Sequence, residues 1–512
     1  MRARQVGTAT LRAAVFAGLA ALTLGGIGLA GVRATNAQGH LAFTPRDGDT
    51  PTDTPTDTPT DIAARTSPAS GPASGDGRPR GRTFTVAVVL GRSATVATDA
   101  MGPFEVFARS PRFRVYTVAP DAGPAPVQGA PSIVPDHTFA DVDADPALAP
   151  DVVVVPAVDD PDGTAEADTR SWVVRQHARG ARLLSVCAGA MLMAETGLLD
   201  GRTATSHWSR VPALRAAHPE THWVVGQRFV RDDTITTTAG ITSGIPGALS
   251  VVQDLAGADE ARQVGAQVGY PGWSPGTSTA IPVQSWALDD WPVALNTLLP
   301  WGRPTVAIEL RDGDGEIDTA SLFEVYANSA AARTVAVSPT GIVRTAHGLR
   351  LLTLSAADSP EVDTRLRPGL RGTGGRPGFD GALEHLAATI GEVDARAAAK
   401  MIDYPTGSLD LTTHRTSPRP VVLTAAAVLV AGLVGLVPTF VRRRRGHLDR
   451  RRASWTAGAW CPPLRPGRNR PAGGRGRHRG RGPPPASATA GAHRGPSRGR
   501  PGPTRRRVAS GR

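Results

Sequence analysis

Cysteine is nearly absent: Cys187 and Cys461 are the only two in 512 residues. They lie far apart in dissimilar surroundings, which excludes a disulfide framework and supplies no metal-ligand spacing. Neither a metal nor a cofactor is expected. Lysine is reduced to Lys400, and aromatic residues make up 5% of the chain. Acids are missing from one end. Residues 442–512 hold 21 Arg against the single acid Asp449, so the basic pI of about 10.9 describes that tail and the remainder is net acidic. Nucleic acid is therefore not expected as a partner of the folded part, while the tail leaves RNA or anionic lipid open beside a merely compositional origin. Gly 58 and Pro 45 are abundant, so packed regions must alternate with stretches that cannot bury enough to fold. The length suits two to four domains of about 100–200 residues.

Charge is also missing from two long runs. After the basic segment 1–12, residues 13–32 carry no charge and reach the ~20 residues that cross a bilayer as helix. The run reads as a signal anchor or a signal peptide, with small residues near Ala34 and Ala37 suited to cleavage. Residues 421–441 form a second uncharged run that ends in Arg442–Arg445, a stop-transfer pattern. The positive-inside rule places both basic flanks in the cytoplasm and residues 33–420 outside the cell membrane. Residues 33–82, with a repeated Pro-Thr-Asp triplet, are expected to be a disordered spacer, and 442–512 a disordered tail.

Between the runs, TFTVAVVL (83–90) is a continuous apolar stretch of the kind buried in a parallel sheet. A helix start at Asp99, a strand at 113–120, a strand at 151–157, a helix near 165–179 and a strand at 181–186 follow. This alternation predicts an α/β domain over 83–271. Its opening recurs: TVAVVL at Thr85 matches TVAIEL at Thr305, FEVFA at Phe104 matches FEVYA at Phe323, and Asp99 falls on Asp318. A later block from Gly247 matches one from Gly381. The offset shortens between the two matches, so residues 303–405 read as a degenerate second half lacking the stretch that carries Cys187 and His207. It is expected to fold without chemistry and to serve as an intrachain pseudo-dimer partner, with a homodimer as the alternative. Trp273, Trp286, Trp291 and Trp301 crowd the connector 272–302 and are expected to pack between the halves.

Cys187 stands between strand LLSV and helix AGAMLMAETGLL, with Ala188 and Gly189 small enough for a tight turn. Backbone N–H groups at such a turn favour a thiolate and can receive an oxyanion. A buried, inert cysteine is the competing reading. The block SVCAGAMLMAETGLLDGRTATSHW (185–208), with Asp99-x-x-Gly102-Pro103 upstream and TTAGITSG (237–244) downstream, resembles the ThiJ/PfpI superfamily. The nearest branch holds isocyanide hydratases and the amidotransferase-like halves of AraC-type regulators.

The resemblance implies a flavodoxin-like parallel sheet sandwiched by helices, as in class I glutamine amidotransferases. It implies Cys187 as nucleophile, Asp99 as a protonated acid beside the sulfur, and His207 near the cysteine. Ala188 and Gly189 would supply oxyanion N–H groups, with Gly102, Thr238 and Gly240 around the pocket. On the residues alone, Asp99 could equally be a helix N-cap and His207 a structural histidine beside Trp208. Pro246 stands where the family commonly has Asp, which argues against a complete triad. Two functions follow: a cysteine-dependent hydratase or hydrolase of a small electrophile, or a non-catalytic module that senses a ligand or oxidation.

Overall fold

Strand β1 (Phe84–Val89) is apolar throughout because both of its faces are covered. Its side chains divide between two cores. Val86 and Val88 join Met101, Phe104 and Phe107 on one face, while Ala87 and Val89 join Trp172 and Leu183 on the other. The computed structural model describes residues 2–41, 82–373, 375–376, 378–413 and 417–456. The Pro-Thr-Asp repeat, Cys461 and the tail beyond Thr456 lie outside the described residues.

β2 (Thr95–Val96) runs directly into α2 (Ala97–Ala108), which follows α1 (Arg2–Leu41) in the chain. β3 (Phe113–Ala119) then pairs parallel to β1, with Thr85 opposite Arg114. Next come β4 (Ala125–Gln128), β5 (Ala130–Val134), β6 (His137–Thr138) and β7 (Val152–Val155). After α3 (Ala167–Ala178) the chain forms β8 (Arg182–Ser185) and the short α4 (Gly189–Ala194). β9 (Thr203–Ala204) and β10 (His222–Trp223) make a separate pair. β11 (Phe229–Asp232), β12 (Ile235–Thr238), α5 (Gly244–Ala256) and α6 (Ala258–Val268) complete this part. The main sheet has the order β11-β12-β8-β7-β1-β3-β6 and is parallel except for β11. This is the expected α/β architecture.

After α7 (Trp291–Leu298), β13 (Thr305–Glu309), α8 (Glu316–Ser329) and β14 (Arg333–Ser338) form a second strand–helix–strand unit. β15 (Ile342–Arg344), β16 (Arg350–Leu352), β17 (Leu354–Ser355) and β18 (Thr364–Leu366) precede α9 (Phe379–Thr389) and α10 (Glu392–Met401). The smaller sheet, β17-β14-β13-β18, is wholly parallel. Asp151 N–H donates to the Thr85 carbonyl and its carboxylate accepts Thr85 N–H at 2.8 Å. Asp363 and Thr305 make the same exchange, also 2.8 Å to the carboxylate.

The two halves share one core and one sheet. Phe104 and Phe107 of α2 belong to the same buried cluster as Leu322, Phe323 and Tyr326 of α8. A five-stranded sheet, β15-β16-β5-β4-β2, crosses the boundary through antiparallel β16 and β5, with Leu351 opposite Ile133. Glutamates are exchanged reciprocally: Thr98 N–H donates to Glu324 Oε2 at 3.1 Å, and Ile317 N–H to Glu105 Oε2 at 2.6 Å. The two bonds tie α2 to α8 in both directions.

Among the described residues, two helices are long and apolar enough to cross a membrane, over Ala14–Thr35 and Arg419–Pro438. Both exceed the sequence-based bounds. α1 continues to Leu41, and α11 (Arg419–Thr456) runs through Arg442–Arg445, so the tail is helical as far as Thr456 rather than disordered from 442. Arginine is a good helix former, and extending an existing helix avoids the cost of nucleation.

Candidate active site

β8 ends one residue before the turn, and Cys187 takes φ +55, a left-handed value that costs a non-glycine residue about 1 kcal/mol. Several contacts hold the turn. Cys187 N–H donates to Thr238 Oγ1 at 3.2 Å, Ser206 Oγ donates to the Cys187 carbonyl at 3.0 Å, and Val186 N–H reaches Val155 O at 3.0 Å. Gly189 is required by space: a Cβ there would stand 2.2 Å from the Val155 carbonyl oxygen. The Ala188 N–H is directed at the sulfur and favours its thiolate.

Burial nevertheless decides the thiol. Cys187 is buried, and desolvation first, then the Asp99 carboxyl beside it, hold its pKa well above the ordinary value. This corrects the expectation of a thiolate. The physical reason is α4: it spans only Gly189–Ala194, so one and a half turns of helix oppose complete removal of the sulfur from water.

Asp99 lies in the first turn of α2, after the N-cap position Val96, so the capping alternative fails. Its Oδ2 accepts Ala157 N–H at 3.1 Å, and its Oδ1 is buried without a partner. Burial first, and Glu324 second, raise its pKa well above the carboxylate range. The shift favours the protonated acid, the direction that the resemblance implied, although the second influence comes from α8. Both shifts favour the protonated form, in which Asp99 and Cys187 each carry one movable proton and can share a proton-transfer task.

His207 is committed elsewhere. Its Nε2 donates to the Met401 carbonyl at 2.8 Å, and Nδ1 accepts from Ser209 Oγ at 2.7 Å. Burial lowers its pKa to about 4, which keeps it neutral. With both nitrogens occupied it cannot serve Cys187 as a base, and the structural reading prevails. Trp208 beside it donates Nε1–H to Lys400 O at 3.3 Å, and Thr242 N–H donates to Ile402 O at 3.0 Å. The last carbonyls of α10, which have no partners within the helix, are thus satisfied by the walls of the first half.

Sequence reasoning missed Asp403. It follows α10, takes φ +57, and accepts Gly240 N–H at 3.1 Å. A Cβ on Gly240 would be 2.1 Å from the Asp403 Cβ, so the glycine is there to admit the aspartate. Asp403, Ser206, Ala239 and Trp208 border a cavity of about 10 Å³, room for about one water. Burial raises the Asp403 pKa. Pro246 occupies the first turn of α5, where a missing N–H costs little, and it offers no acceptor. Gly102 packs near Ile245, which places α5 against α2 behind the elbow. A larger cavity of about 280 Å³, lined by Arg228, Tyr270 and Trp273, does not include Cys187.

Glu105, Glu316 and His347 bring possible ligand atoms within 4.8 Å of one another. Their oxygens are already engaged: Glu105 accepts from Arg109 and Ile317 N–H, and Glu316 from Thr345 Oγ1 and His347. The group is an internal ion-pair cluster.

A parallel sheet with a left-handed cysteine between strand and helix, backed by a buried carboxyl, defines an α/β protein with a nucleophile-type elbow. The DJ-1/PfpI family profile matches residues 85–254. Isonitrile hydratase of Pseudomonas putida is 35% identical over 176 residues, 34% of this chain and 72% of that protein. An uncharacterized protein of Streptomyces lividans is 34% identical over 26% of this chain and 94% of its own length. The transcriptional regulator CdhR of Pseudomonas aeruginosa is 27% identical over 36% of this chain, and the match spans 54% of the regulator. The crystal structure of a ThiJ/PfpI family protein from Pseudomonas syringae is 27% identical, covering 42% of this chain and 89% of that one with a TM-score of 0.35. The chain belongs to the DJ-1/PfpI family.

Proposed function

We propose that this protein is a membrane-anchored, extracytoplasmic enzyme that hydrates or hydrolyses a small uncharged electrophile at Cys187. The observation that carries the reading is the elbow: a left-handed cysteine with the Ala188 N–H on its sulfur and a neutral, half-partnered Asp99 beside it. The similarity to isonitrile hydratase supports an isocyanide or a reactive carbonyl as the substrate class. For an isocyanide, the sulfur bonds to the terminal carbon and the thiol proton passes to that carbon, with Asp99 as relay. Water then adds to the thioimidate, the C–S bond breaks, and the proton returns to sulfur, releasing an N-formyl amine. No charge needs to be brought into the buried site.

Residues 303–405 act in this reading as a shortened second copy that replaces a partner subunit. The matched Asp–Thr exchanges and the reciprocal glutamates support it. Arg442–Arg445 after the second apolar span support a cytoplasmic tail and an outward-facing folded part. The buried thiol and the cover supplied by α10 also favour a second reading, a ligand-sensing or redox-sensing module.

The test is turnover by purified full-length protein of an isocyanide and reactive-carbonyl panel, with product identified by NMR. Cys187→Ala and Asp99→Asn should each lower turnover by more than about a thousandfold. His207→Ala should lower it only about tenfold or less, because its bonds are to Met401 and Ser209. Absence of wild-type turnover across the panel would transfer the weight to the sensing reading.

A further inference from the structure

The tryptophans of the connector do not all pack between the halves. Trp273 lies on Gly265, and Trp286 meets Trp208 edge-on at 5.1 Å while remaining 61% exposed; Trp291 and Trp301 are 38% and 45% exposed. α7 is inside out. Trp291, Ala294 and Leu298, spaced three and four residues apart, share its exposed face, and Leu288 just before the helix is 92% exposed. Its polar residue faces inward: Asn296 is buried, donating to Ser329 O at 3.2 Å and to Asp394 Oδ1 at 2.9 Å. A helix bordering water would be expected to show the opposite arrangement.

Both apolar spans reach this same element. Gly31 of α1 lies so close to Leu298 that a Cβ would be 1.8 Å from the Leu298 carbonyl oxygen, and Thr35 Oγ1 donates to Thr297 O at 2.9 Å. At the start of α11, Arg419 donates to Leu299 O at 3.2 Å, Trp301 O at 3.1 Å and Asn296 Oδ1 at 2.7 Å. The outer ends of the two spans therefore meet at the end of α7. Each span is about 30 Å long at 1.5 Å per residue, the thickness of the hydrocarbon core.

We propose that the exposed face of α7, with Leu288 and Trp301, is a membrane-interface anchor that lies in the headgroup region of the outer leaflet. Tryptophan suits that depth, since its ring is apolar and its N–H can remain hydrated. The contacts of Gly31, Thr35 and Arg419 with α7 fix the depth of this face and hold the folded part against the bilayer. The inference rests on the membrane anchoring proposed above.

The test uses the full chain in phosphatidylcholine nanodiscs carrying spin labels at the 5-position or the 12-position of the acyl chain, read by tryptophan quenching. Shallow labels should quench strongly. The double variant Trp291→Phe/Trp301→Phe should lose more than half of that quenchable signal, and Trp172→Phe, whose ring is buried, should lose none. Greater quenching by the deep label, or a shallow-quenched signal unchanged in the double variant, would overturn the inference while leaving the anchoring intact. Pairs of chains crosslinked through Trp291 within one disc would also overturn it, in favour of a second copy as the occupant. Failure of the chain to remain with lipid at all would remove both the anchoring and this inference.

Discussion

The two halves begin alike and end differently. Each opens with a buried strand, a helix with an inward glutamate and a second parallel strand, and each ties its first strand to an aspartate by the same two bonds. In the first half the chain between β7 and α5 builds α3, β8, the elbow and the β11–β12 hairpin. In the C-terminal half α9 is the next element after β18. The shared frame supplies packing, and the elbow with Cys187 belongs to the first half alone among the described residues. The shorter half still contributes to the site, placing Glu324 beside Asp99 and the end of α10 over His207 and Gly240.

If the halves form one cooperative body, a cavity in either should destabilise both. Phe104→Ala and Phe323→Ala, at matching positions in the common core, should each cost about 3–5 kcal/mol. Far-UV and near-UV melting should then shift together in a single transition. Two separated transitions, with only the mutated half shifted, would break the comparison.

The halves should differ in their response to pH, because buried His207 and half-buried His347 are displaced in opposite directions. His207 has a folded pKa near 4, below its ordinary value of about 6.5. The stability tied to it is complete above pH 6.5 and declines by up to about 3 kcal/mol as pH falls toward 4. His347 is raised by its bond to Glu316, so its contribution is complete below about 6.5 and is lost as pH climbs through the raised value. Denaturant titrations across pH should show His207→Gln flattening the acid side and His347→Gln the alkaline side. The same slopes in both variants would contradict the assignment.

The smallest effect should come from Asp403. Glycine there would relieve a left-handed aspartate but lose the bond to Gly240 N–H, so Asp403→Gly should change stability by no more than about 1 kcal/mol. Asp403→Asn, which tolerates the same backbone and can still accept, should be closer to wild type. A large loss in the asparagine variant would show that the charge of Asp403, rather than its shape, holds the halves together.

Much of the frame was legible in the sequence because buried parallel strands announce themselves as apolar runs, as in TVAVVL and DVVVV. FEVFA and FEVYA were legible as a repeat, but the role of the acid inside each depends on the contact between α2 and α8. The shared sheet was not legible, since β5 and β16 are short and pair across more than two hundred residues. Asp403 carries no motif, and its role depends on where the end of α10 meets Gly240. The thiol was misjudged because the block after Cys187 reads as a long helix, whereas α4 ends at Ala194. Local pattern reported a helix end, while burial, a tertiary property, set the sign of the shift.

The central claim is that Cys187 works from a neutral, buried thiol beside a neutral Asp99. The rate of Cys187 alkylation by iodoacetamide, mapped by mass spectrometry as pH is raised, tests it most directly. The account predicts an apparent pKa above the free-cysteine value of about 8.5, and little change in Asp99→Asn, whose amide is as uncharged as the protonated acid. An apparent pKa well below 8.5 in the wild type would contradict it.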